Sequence, residues 1–267
     1  MTAQWFDSHC HFDFSDFDDD RLEVWTRANN SGVGGLLIPG VSRQQGQRLE
    51  FFCQQNSYWF YTLGLHPYWA GKHKEDDADW LLAAAQNDKV VAIGECGVDR
   101  PLSKRSEITW QQQWQWFELQ LDIAHQLKKP LVLHAVGSHD EMAAAIQRQG
   151  FTSGGLVHAF SGSATQARRW NELGFKLGFG ASATNPNAGR LRALFADIPL
   201  ANILLESDAP DMAPTFWSNN RNSPEVIPMF AAQLASLRHC THDALAVQLQ
   251  HNLVETFPNL HTLGVLP

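Results

Sequence analysis

The sequence predicts an α/β fold, a single-domain (β/α)8 barrel of the TIM type over residues 1–267. Short apolar segments alternate with longer ones in which apolar residues recur every three or four positions. This alternation is typical of repeated βα units and a parallel sheet. Eight short segments occur, the number that closes a parallel sheet into a barrel. No linker, internal repeat or low-complexity stretch divides the chain, which is long enough for one large barrel.

The strands are predicted where four to six mostly apolar residues occur together. Most of these runs are bounded by Gly, Pro or Asn, residues that end regular structure. In chain order, the predicted strands are Gln4–His9, Gly35–Ile38, Tyr58–Leu63, Val90–Gly94, Pro130–His134, Gly155–His158, Phe175–Phe179 and Ile203–Glu206.

The helices between the strands are predicted from their start signals and apolar stripes. Capping boxes, in which a Ser and a Gln or Glu three residues later satisfy free backbone N–H groups, begin at Ser42, Ser138 and Ser163. Ser223 precedes Pro224, a favourable pair for a helix start. The longest helix is predicted from about Glu107 to Leu127, with an apolar stripe that packs on the barrel, and a terminal helix over Ala244–Phe257.

Charge and cysteine content limit the classes of function. The formal net charge of −8 argues against a broad basic surface that coats duplex nucleic acid, but not against an enzyme that grips a few phosphates. The four cysteines form no CxxC pair, which favours a reducing compartment. The N-terminus has no signal-peptide pattern and no apolar run reaches membrane-spanning length. We therefore expect a cytoplasmic protein without a membrane partner, and no obligate protein partner is evident.

Six side chains at or just after predicted strand ends are of types that bind divalent metals. Because the carboxyl ends of barrel strands converge on one mouth, we expect these side chains to meet there. Imidazoles and carboxylates in this mixture suit borderline ions such as zinc or manganese. The candidate ligands are His9, His11, Glu95, His134, His158 and Asp208.

Because side chains alternate between the two faces of a strand, the candidate ligands can be distinguished from their neighbours in the sequence. His9 and His11 are two apart on a predicted strand and therefore share a face, whereas Cys10 faces the other way and is interpreted as a buried, inert thiol. A lone HxH pattern is a weak signal, and its combination with ligand types at four later strand ends is a strong one. Glu206 shares the face of Asp208, one layer deeper, where it is either a structural acid or, as we favour, a group that supports the ligands.

Several motifs together resemble the TatD-like metal-dependent hydrolases (TatD DNase family), a branch of the amidohydrolase-type barrels. The resemblance covers the whole chain in the family's order, and the motifs are specific as a set. They are Asp7-Ser8-His9-Cys10-His11, Gly64-Leu65-His66-Pro67, Gly94-Glu95-Cys96-Gly97-Val98-Asp99, Val157-His158-Ala159-Phe160-Ser161-Gly162, Glu206-Ser207-Asp208-Ala209-Pro210 and Arg221-Asn222-Ser223-Pro224.

The resemblance implies a site for two divalent metal ions, zinc, magnesium or manganese. His9, His11 and Asp208 would hold one ion, His134 and His158 the other, and Glu95 would bridge them. Two cations so placed share a hydroxide that acts as nucleophile near neutral pH. Asp208 would accept the proton as water attacks, so that Asp208 and Glu95 are catalytic as well as ligands.

The resemblance also assigns residues near the metals. His66 is expected to contact the substrate and to take part in catalysis; the alternative is a loop histidine held by Pro67. Asp99 is expected to support the ligands or to orient the substrate rather than to serve only as a turn residue. Arg221 belongs to the same group of supporting or substrate-contacting residues.

One position departs from the family. Many members carry Arg two residues after the fifth-strand histidine, where this chain has Val136, so one phosphate contact would be missing. Arg100, Lys104 and Arg105 could compensate, or they could be solvated surface charges. Phe216 and Trp217 could stack on a base or form an apolar lid.

Three functions remain open from the sequence. The first is a metal-dependent phosphodiesterase, a deoxyribonuclease of exonuclease type that acts on nucleic-acid ends or on a small phosphoester. The alternative is a hydrolase of a carbonyl substrate (amide, lactone or aminoacyl ester), because the same metal pair polarises a carbonyl. The third is a non-catalytic metal-binding protein, against which the full ligand set including Asp208 argues.

Overall fold

Eight parallel strands in chain order form the sheet of the computed structural model, which describes residues 5–262 and the side chains of residues 5–260. Each strand pairs with the next in the sequence, as right-handed βα units require. The strands are β1 Trp5–Asp7, β2 Val33–Ile38, β3 Trp59–Leu63, β4 Val90–Asp99, β5 Leu131–Val136, β6 Gly155–Val157, β7 Phe175–Phe179 and β8 Ile203–Leu205. All eight predicted strands are confirmed, with Gln4 outside the described residues.

Backbone hydrogen bonds between the ends of β8 and β1 close the barrel. The N–H of Ser8 donates to the carbonyl of Leu205 at 2.9 Å, and the N–H of Asp208 donates to that of His9 at 2.9 Å. The barrel architecture expected from the sequence is therefore present. These two bonds also place the segments after β1 and β8 side by side at the mouth.

Twelve helices follow within the described part of the chain. They are α1 Arg21–Asn30, α2 Arg43–Cys53, α3 Asp76–Ala84, α4 Arg100–Arg105, α5 Trp110–Leu127, α6 His139–Gln149, α7 Ala164–Glu172, α8 Ala181–Thr184, α9 Gly189–Asp197, α10 Ile227–Arg238, α11 His242–Thr256 and α12 Asn259–Thr262. Short 3-10 turns lie at Ser15–Phe17, Pro67–Trp69, Leu200–Asn202 and Pro224–Val226. No helix among residues 5–262 is both long enough and apolar enough to cross a bilayer.

The three serines predicted to begin helices with capping boxes make different hydrogen bonds in the structure. Ser163 forms the full capping box with Gln166, and Ser42 caps α2 by accepting from the N–H of Gln45. The capping box predicted at Ser138 is wrong, because the hydroxyl of Ser138 donates to the carbonyl of Val98 and accepts no hydrogen bond from the start of α6. A capping box that the sequence analysis missed, at Thr109, starts α5 at Trp110 rather than at Glu107.

Strand residues pack in two layers. One set packs with the helices in the main core, including the predicted stripe of α5 from Phe117 to Ala124. The other set fills the barrel interior and packs on α11 and α12 through Leu253, Phe257 and Leu260. Val132, Leu156 and Leu204 belong to this second set. Because side chains alternate along a strand, the residues two positions later point into the mouth of the barrel.

Candidate metal centre

The first cluster at the mouth joins the ends of β1 and β8 to β4. His9 and His11 lie just beyond β1, in a loop rather than on the predicted strand, and both imidazoles still face the same point. The Nε2 atoms of His9 and His11 are each 3.6 Å from Asp208 Oδ1. They are 3.2 and 3.6 Å, respectively, from Glu95 Oε2. Four donors thus surround one position.

The second cluster lies at the other oxygen of the same carboxylate. Glu95 Oε1 is 2.9 Å from His134 Nδ1 and 2.8 Å from His158 Nε2. These two imidazole nitrogens are 3.1 Å apart. The structure therefore brings all six predicted ligands together, with Glu95 between two groups of donors.

Glu95 reaches this place because β4 is longer than predicted and runs on to Asp99. Gly97, two residues further along β4, has φ +147, and a Cβ there would lie 2.0 Å from the carbonyl oxygen of His134. Only glycine therefore allows β4 and β5 to approach so closely beside the ligands.

The donors fit divalent cations by an observation independent of the resemblance. Nε2 of His9 and Oε2 of Glu95, which face each other at 3.2 Å, are both buried without a hydrogen-bond partner in the described structure. Such atoms are costly to bury unless a cation satisfies them. Donors about 2.1 Å from one ion in a tetrahedral arrangement lie about 3.4 Å apart, close to the separations found here.

The electrostatics of the centre favour positive charge. Burial raises the pKa of Glu95, but His158, His66 and His9 outweigh it and hold the pKa well below its usual range. Burial lowers the pKa of His158, but Glu95 and Asp208 outweigh it and raise the pKa to about 10. The carboxylates thus draw positive charge to the point where the imidazoles meet, which is where cations would bind.

Asp208 is a carboxylate at the centre whose pKa is raised above its usual range. Burial raises its pKa to about 7, with His158 lowering it and Glu95 raising it. Its backbone has φ 58, a left-handed conformation that is uncommon for a residue other than glycine. This conformation belongs to the turn that aims the carboxylate at His9 and His11.

His66, which was predicted to contact the substrate, lies within hydrogen-bonding distance of the candidate ligand Glu95. Its Nδ1 accepts the N–H of Tyr68 at 3.1 Å, so the neutral ring carries its proton on Nε2. That Nε2 is 3.1 Å from Glu95 Oε1 and can donate to it. Contact with the substrate stays a prediction for His66.

Asp99 at the end of β4 contacts a ligand directly. Its Oδ1 accepts the N–H of Leu102 at 2.7 Å and caps α4, while Oδ2 is 3.4 Å from His134 Nε2. A carboxylate at one ring nitrogen turns the other nitrogen of His134 toward Glu95.

Glu206 is buried beneath the ligands. Its Oε1 accepts the N–H of Ala159, and its Oε2 has no hydrogen-bond partner within residues 5–260. A Cβ at Gly178 would lie 2.2 Å from that Oε2, so this glycine provides the space for the carboxylate. Burial raises the pKa of Glu206 to about 8, although His158 lowers it.

Replacing Glu206 with Gln is expected to flatten the pH dependence of stability in protein stripped of metal by a chelator. Because its folded pKa of about 8 exceeds its usual value of 4.5, the carboxyl stabilises the fold when protonated and loses that contribution as pH rises from about 4.5 to 8. The variant should match the wild type near pH 5 and exceed it by roughly 2–5 kcal/mol above pH 8. Urea titrations at both pH values measure this; parallel curves for the two proteins would contradict it.

Asp7 is a functional residue that the sequence analysis missed. Its Oδ1 accepts the N–H of Ser207 at 2.9 Å, and its Oδ2 accepts the hydroxyl of Ser207 at 2.6 Å. Its Oδ1 also lies 3.3 Å from the N–H of His9. It therefore ties the segment that carries His9 to the one that carries Asp208. The available signal was a carboxylate at the end of the first strand, two residues before a ligand.

Arg221 lies away from the six ligands. Its guanidinium makes two hydrogen bonds to Asp20, at 2.8 and 2.7 Å, and lies over the ring of Phe17. It thus ties the loop after β8 to the segment before α1. Its predicted contact with substrate stays a prediction.

The two aromatic residues of that loop differ in exposure. Phe216 is exposed and packs edge-on against Phe230. Trp217 is partly buried, and its indole N–H donates to the carbonyl of Arg221 at 3.1 Å. Phe216 is therefore the one of the pair that remains free to contact a ligand.

The model of the TatD-related DNase family matches residues 6–258. The chain is 36% identical to the uncharacterized metal-dependent hydrolase YjjV of Escherichia coli K12, over 96% of this chain and 99% of YjjV. It is 31% identical to the 3′-5′ ssDNA/RNA exonuclease TatD of a Pantoea species, over 94% and 98% of the two chains. The crystal structure of YjjV, a TatD homologue, superposes with a TM-score of 0.90 at 34% identity, covering 97% of this chain and 99% of that chain.

Proposed function

The chain belongs to the TatD-related DNase family, and from that premise we propose that it is a divalent-metal-dependent phosphodiesterase that hydrolyses nucleic acid from single-stranded ends. The observation that carries the proposal is Glu95, whose two oxygens each face a separate group of imidazoles. That arrangement suits two cations that share one carboxylate, as two-metal hydrolases require.

The division of the ligands between two cations follows the family resemblance, and the distances are compatible with it. His9, His11 and Asp208 would hold one cation and His134 and His158 the other, with Glu95 in contact with both. When bound, two divalent cations polarise the phosphoryl group, activate water and stabilise both the attacking and the leaving oxygen. The ions could be zinc, magnesium or manganese, since this donor set suits the borderline metals and still provides hard oxygen ligands.

The protein's own groups move the proton and hold the substrate in this proposal. Asp208 faces the point where His9 and His11 meet and would take the proton from the attacking water. His66 Nε2 lies 3.1 Å from Glu95 Oε1, and its N–H would donate to a phosphate oxygen of the substrate once a cation holds that carboxylate oxygen. Asp99 orients His134 through the other ring nitrogen.

The substrate class follows from charge and from the relatives. A protein with a net charge of −8 is suited to contact only a few phosphates. This favours the ends of nucleic-acid strands over a long duplex as the substrate. The exonuclease relatives are named for action on single-stranded DNA and RNA. The carbonyl alternative remains a second candidate because half-buried Val136 occupies β5 where a phosphate-facing arginine was expected.

An assay of stripped and reloaded protein tests the proposal. Protein treated with chelator, then reloaded with Mg, Mn or Zn, is given 5′- or 3′-end-labelled single-stranded DNA and RNA, and a panel of esters, lactones and amides. We expect metal-dependent release of nucleotides from one end, and no turnover by His134→Ala. Turnover of a carbonyl substrate alone would favour the alternative, and metal binding with no hydrolysis of either class would contradict both.

The remaining features of the proposal concern the protein as a whole. All four cysteines are free, which suits a reducing compartment, and we propose a cytoplasmic location. We also propose that residues 1–267 form one domain, which acts without an obligate protein partner or membrane.

A further inference from the structure

Three cationic side chains follow β4 and differ in their contacts: Arg100, Lys104 and Arg105. Arg100 is occupied: its Nε donates to the carbonyl of Gly137 at 2.7 Å, its Nη2 contacts Glu141, and its guanidinium lies over Trp110. Lys104 is exposed, and no ion-pair partner for it occurs among the described side chains. Arg105, the last residue of α4, is the cation that faces the metal centre.

The Arg105 guanidinium is anchored by one of its nitrogens. Nη2 donates to the hydroxyl of Tyr68 at 3.0 Å and lies 3.8 Å from Asp99 Oδ2. The side chain is 61% exposed, whereas that of Asp99 is 3% exposed. Nε and Nη1 have no hydrogen-bond partner within residues 5–260, so their N–H groups remain free to donate to an anion.

Both anchors of Arg105 contact the candidate ligands. Asp99 Oδ2 is 3.4 Å from His134 Nε2, and the opposite nitrogen of His134 is 2.9 Å from Glu95 Oε1. The ring of Tyr68 packs edge-on against His66 and His134, with centroids 4.9 and 5.7 Å apart. The guanidinium is therefore held beside the half of the centre formed by Glu95, His134 and His66.

We propose that Arg105, positioned by Tyr68, forms a subsite that binds a phosphate oxyanion of the substrate beside Glu95 and His134. The inference rests on the proposed function and names the residue that recognises phosphate. The free N–H groups of a guanidinium held in place by Tyr68 can donate to phosphate oxygens in fixed directions, which the flexible ammonium group of a lysine cannot reproduce in the same geometry. The subsite takes phosphate monoesters and diesters, and neutral esters or amides gain nothing from it.

Asp99 does not block an anion at this position. One of its oxygens accepts the N–H of Leu102 and the other contacts His134, so its charge is already opposed on two sides. At 3.8 Å, its approach to exposed Arg105 is a loose ion pair that solvent screens. A phosphate can therefore bind the free N–H groups of the guanidinium while Asp99 keeps its own partners.

The test compares Arg105→Ala, Arg105→Lys and Tyr68→Phe with the matched control Lys104→Ala, which removes a cation one residue away. Binding of inorganic phosphate to metal-loaded protein is measured by calorimetry, together with metal content and thermal stability. We expect phosphate affinity to fall about 10- to 100-fold in Arg105→Ala, as for loss of a charged hydrogen-bonding group. Arg105→Lys should lose less and Tyr68→Phe about 3- to 10-fold, whereas Lys104→Ala should keep wild-type affinity.

Kinetics separate a phosphate-binding role from a structural one. With a phosphodiester substrate we expect KM to rise in Arg105→Ala, with metal content unchanged, and Arg105→Lys to recover part of the loss. Equal phosphate affinity in Arg105→Ala and Lys104→Ala would overturn the inference, as would equal loss of metal and phosphate. If the wild type binds phosphate through Arg105 but cleaves no phosphodiester, the proposed function fails and the subsite stands.

Discussion

Asp208→Asn is expected to lower kcat/KM by about 10²- to 10⁴-fold while the protein stays folded, the range that loss of a positioned general base typically costs. The substitution removes the carboxylate that we propose accepts the proton of the attacking water. It also removes a negative donor 3.6 Å from both His9 and His11. The amide oxygen can still occupy the ligand position, so the loss of the proton acceptor should exceed the loss of metal.

Steady-state kinetics on the best nucleic-acid substrate, with metal content and thermal unfolding on the same samples, measure this effect. Asp211→Asn is the matched control, since Asp211 is an exposed carboxylate in the same loop. Burial opposes the charge on Asp208, so the variant stripped of metal should be at least as stable as the stripped wild type. Wild-type turnover in Asp208→Asn would remove Asp208 from the mechanism.

Glu95→Gln is expected to be the most damaging change to the metal centre itself. Gln keeps one ligand oxygen but replaces the other with an amide N–H₂ that cannot bind a cation, and it removes the charge that faces both groups of imidazoles. We expect the bound metal to fall from two ions per chain toward one. We also expect kcat/KM to fall about 10²- to 10⁴-fold, as several kcal/mol of stabilisation by metal is lost.

Metal analysis after dialysis and assay at saturating metal test the bridging role. Glu118→Gln on α5 is the control, because this exposed residue has only a long ion pair with Arg148, at 3.8 Å. Retention of two ions per chain in Glu95→Gln would show that the carboxylate does not join the two groups.

Each of the four substitutions tests a different property of the protein. Asp208→Asn tests proton transfer, Glu95→Gln tests the shared ligand, and Arg105→Ala tests phosphate recognition. Glu206→Gln tests a buried charge beneath the site through stability alone. A single protein preparation with defined metal content allows all four to be compared.

The strand order and the positions of the ligands could be predicted from the sequence because both depend on local pattern. Buried parallel strands are short apolar runs, and their carboxyl ends meet at one mouth whatever the details of packing. That regularity located His134 in the second half of β5, His158 just after β6 and Asp208 after β8. Element ends were less predictable: β1 stops at Asp7 and β4 continues to Asp99, because partner strands and glycine contacts set those limits.

The side-chain partners required the tertiary structure. Ser138 matches a capping sequence, yet its hydroxyl donates to Val98 from another strand, a contact that local pattern does not encode. Asp7 reaches Ser207, 200 residues away, and this bond holds two ligand segments together. Arg221 was grouped with the site by its motif, and its guanidinium instead contacts Asp20.

By itself the sequence predicted the barrel and the set of candidate ligand side chains, since hydrophobic periodicity and residue chemistry are properties of the chain. Only the tertiary structure decided which other side chains support them: Asp7 joined to Ser207, and Arg105 rather than Arg100 or Lys104 beside the centre. The physical reason is that hydrogen bonds and ion pairs depend on ångström distances between residues far apart in sequence. Those distances are set by how the strands and loops pack against one another.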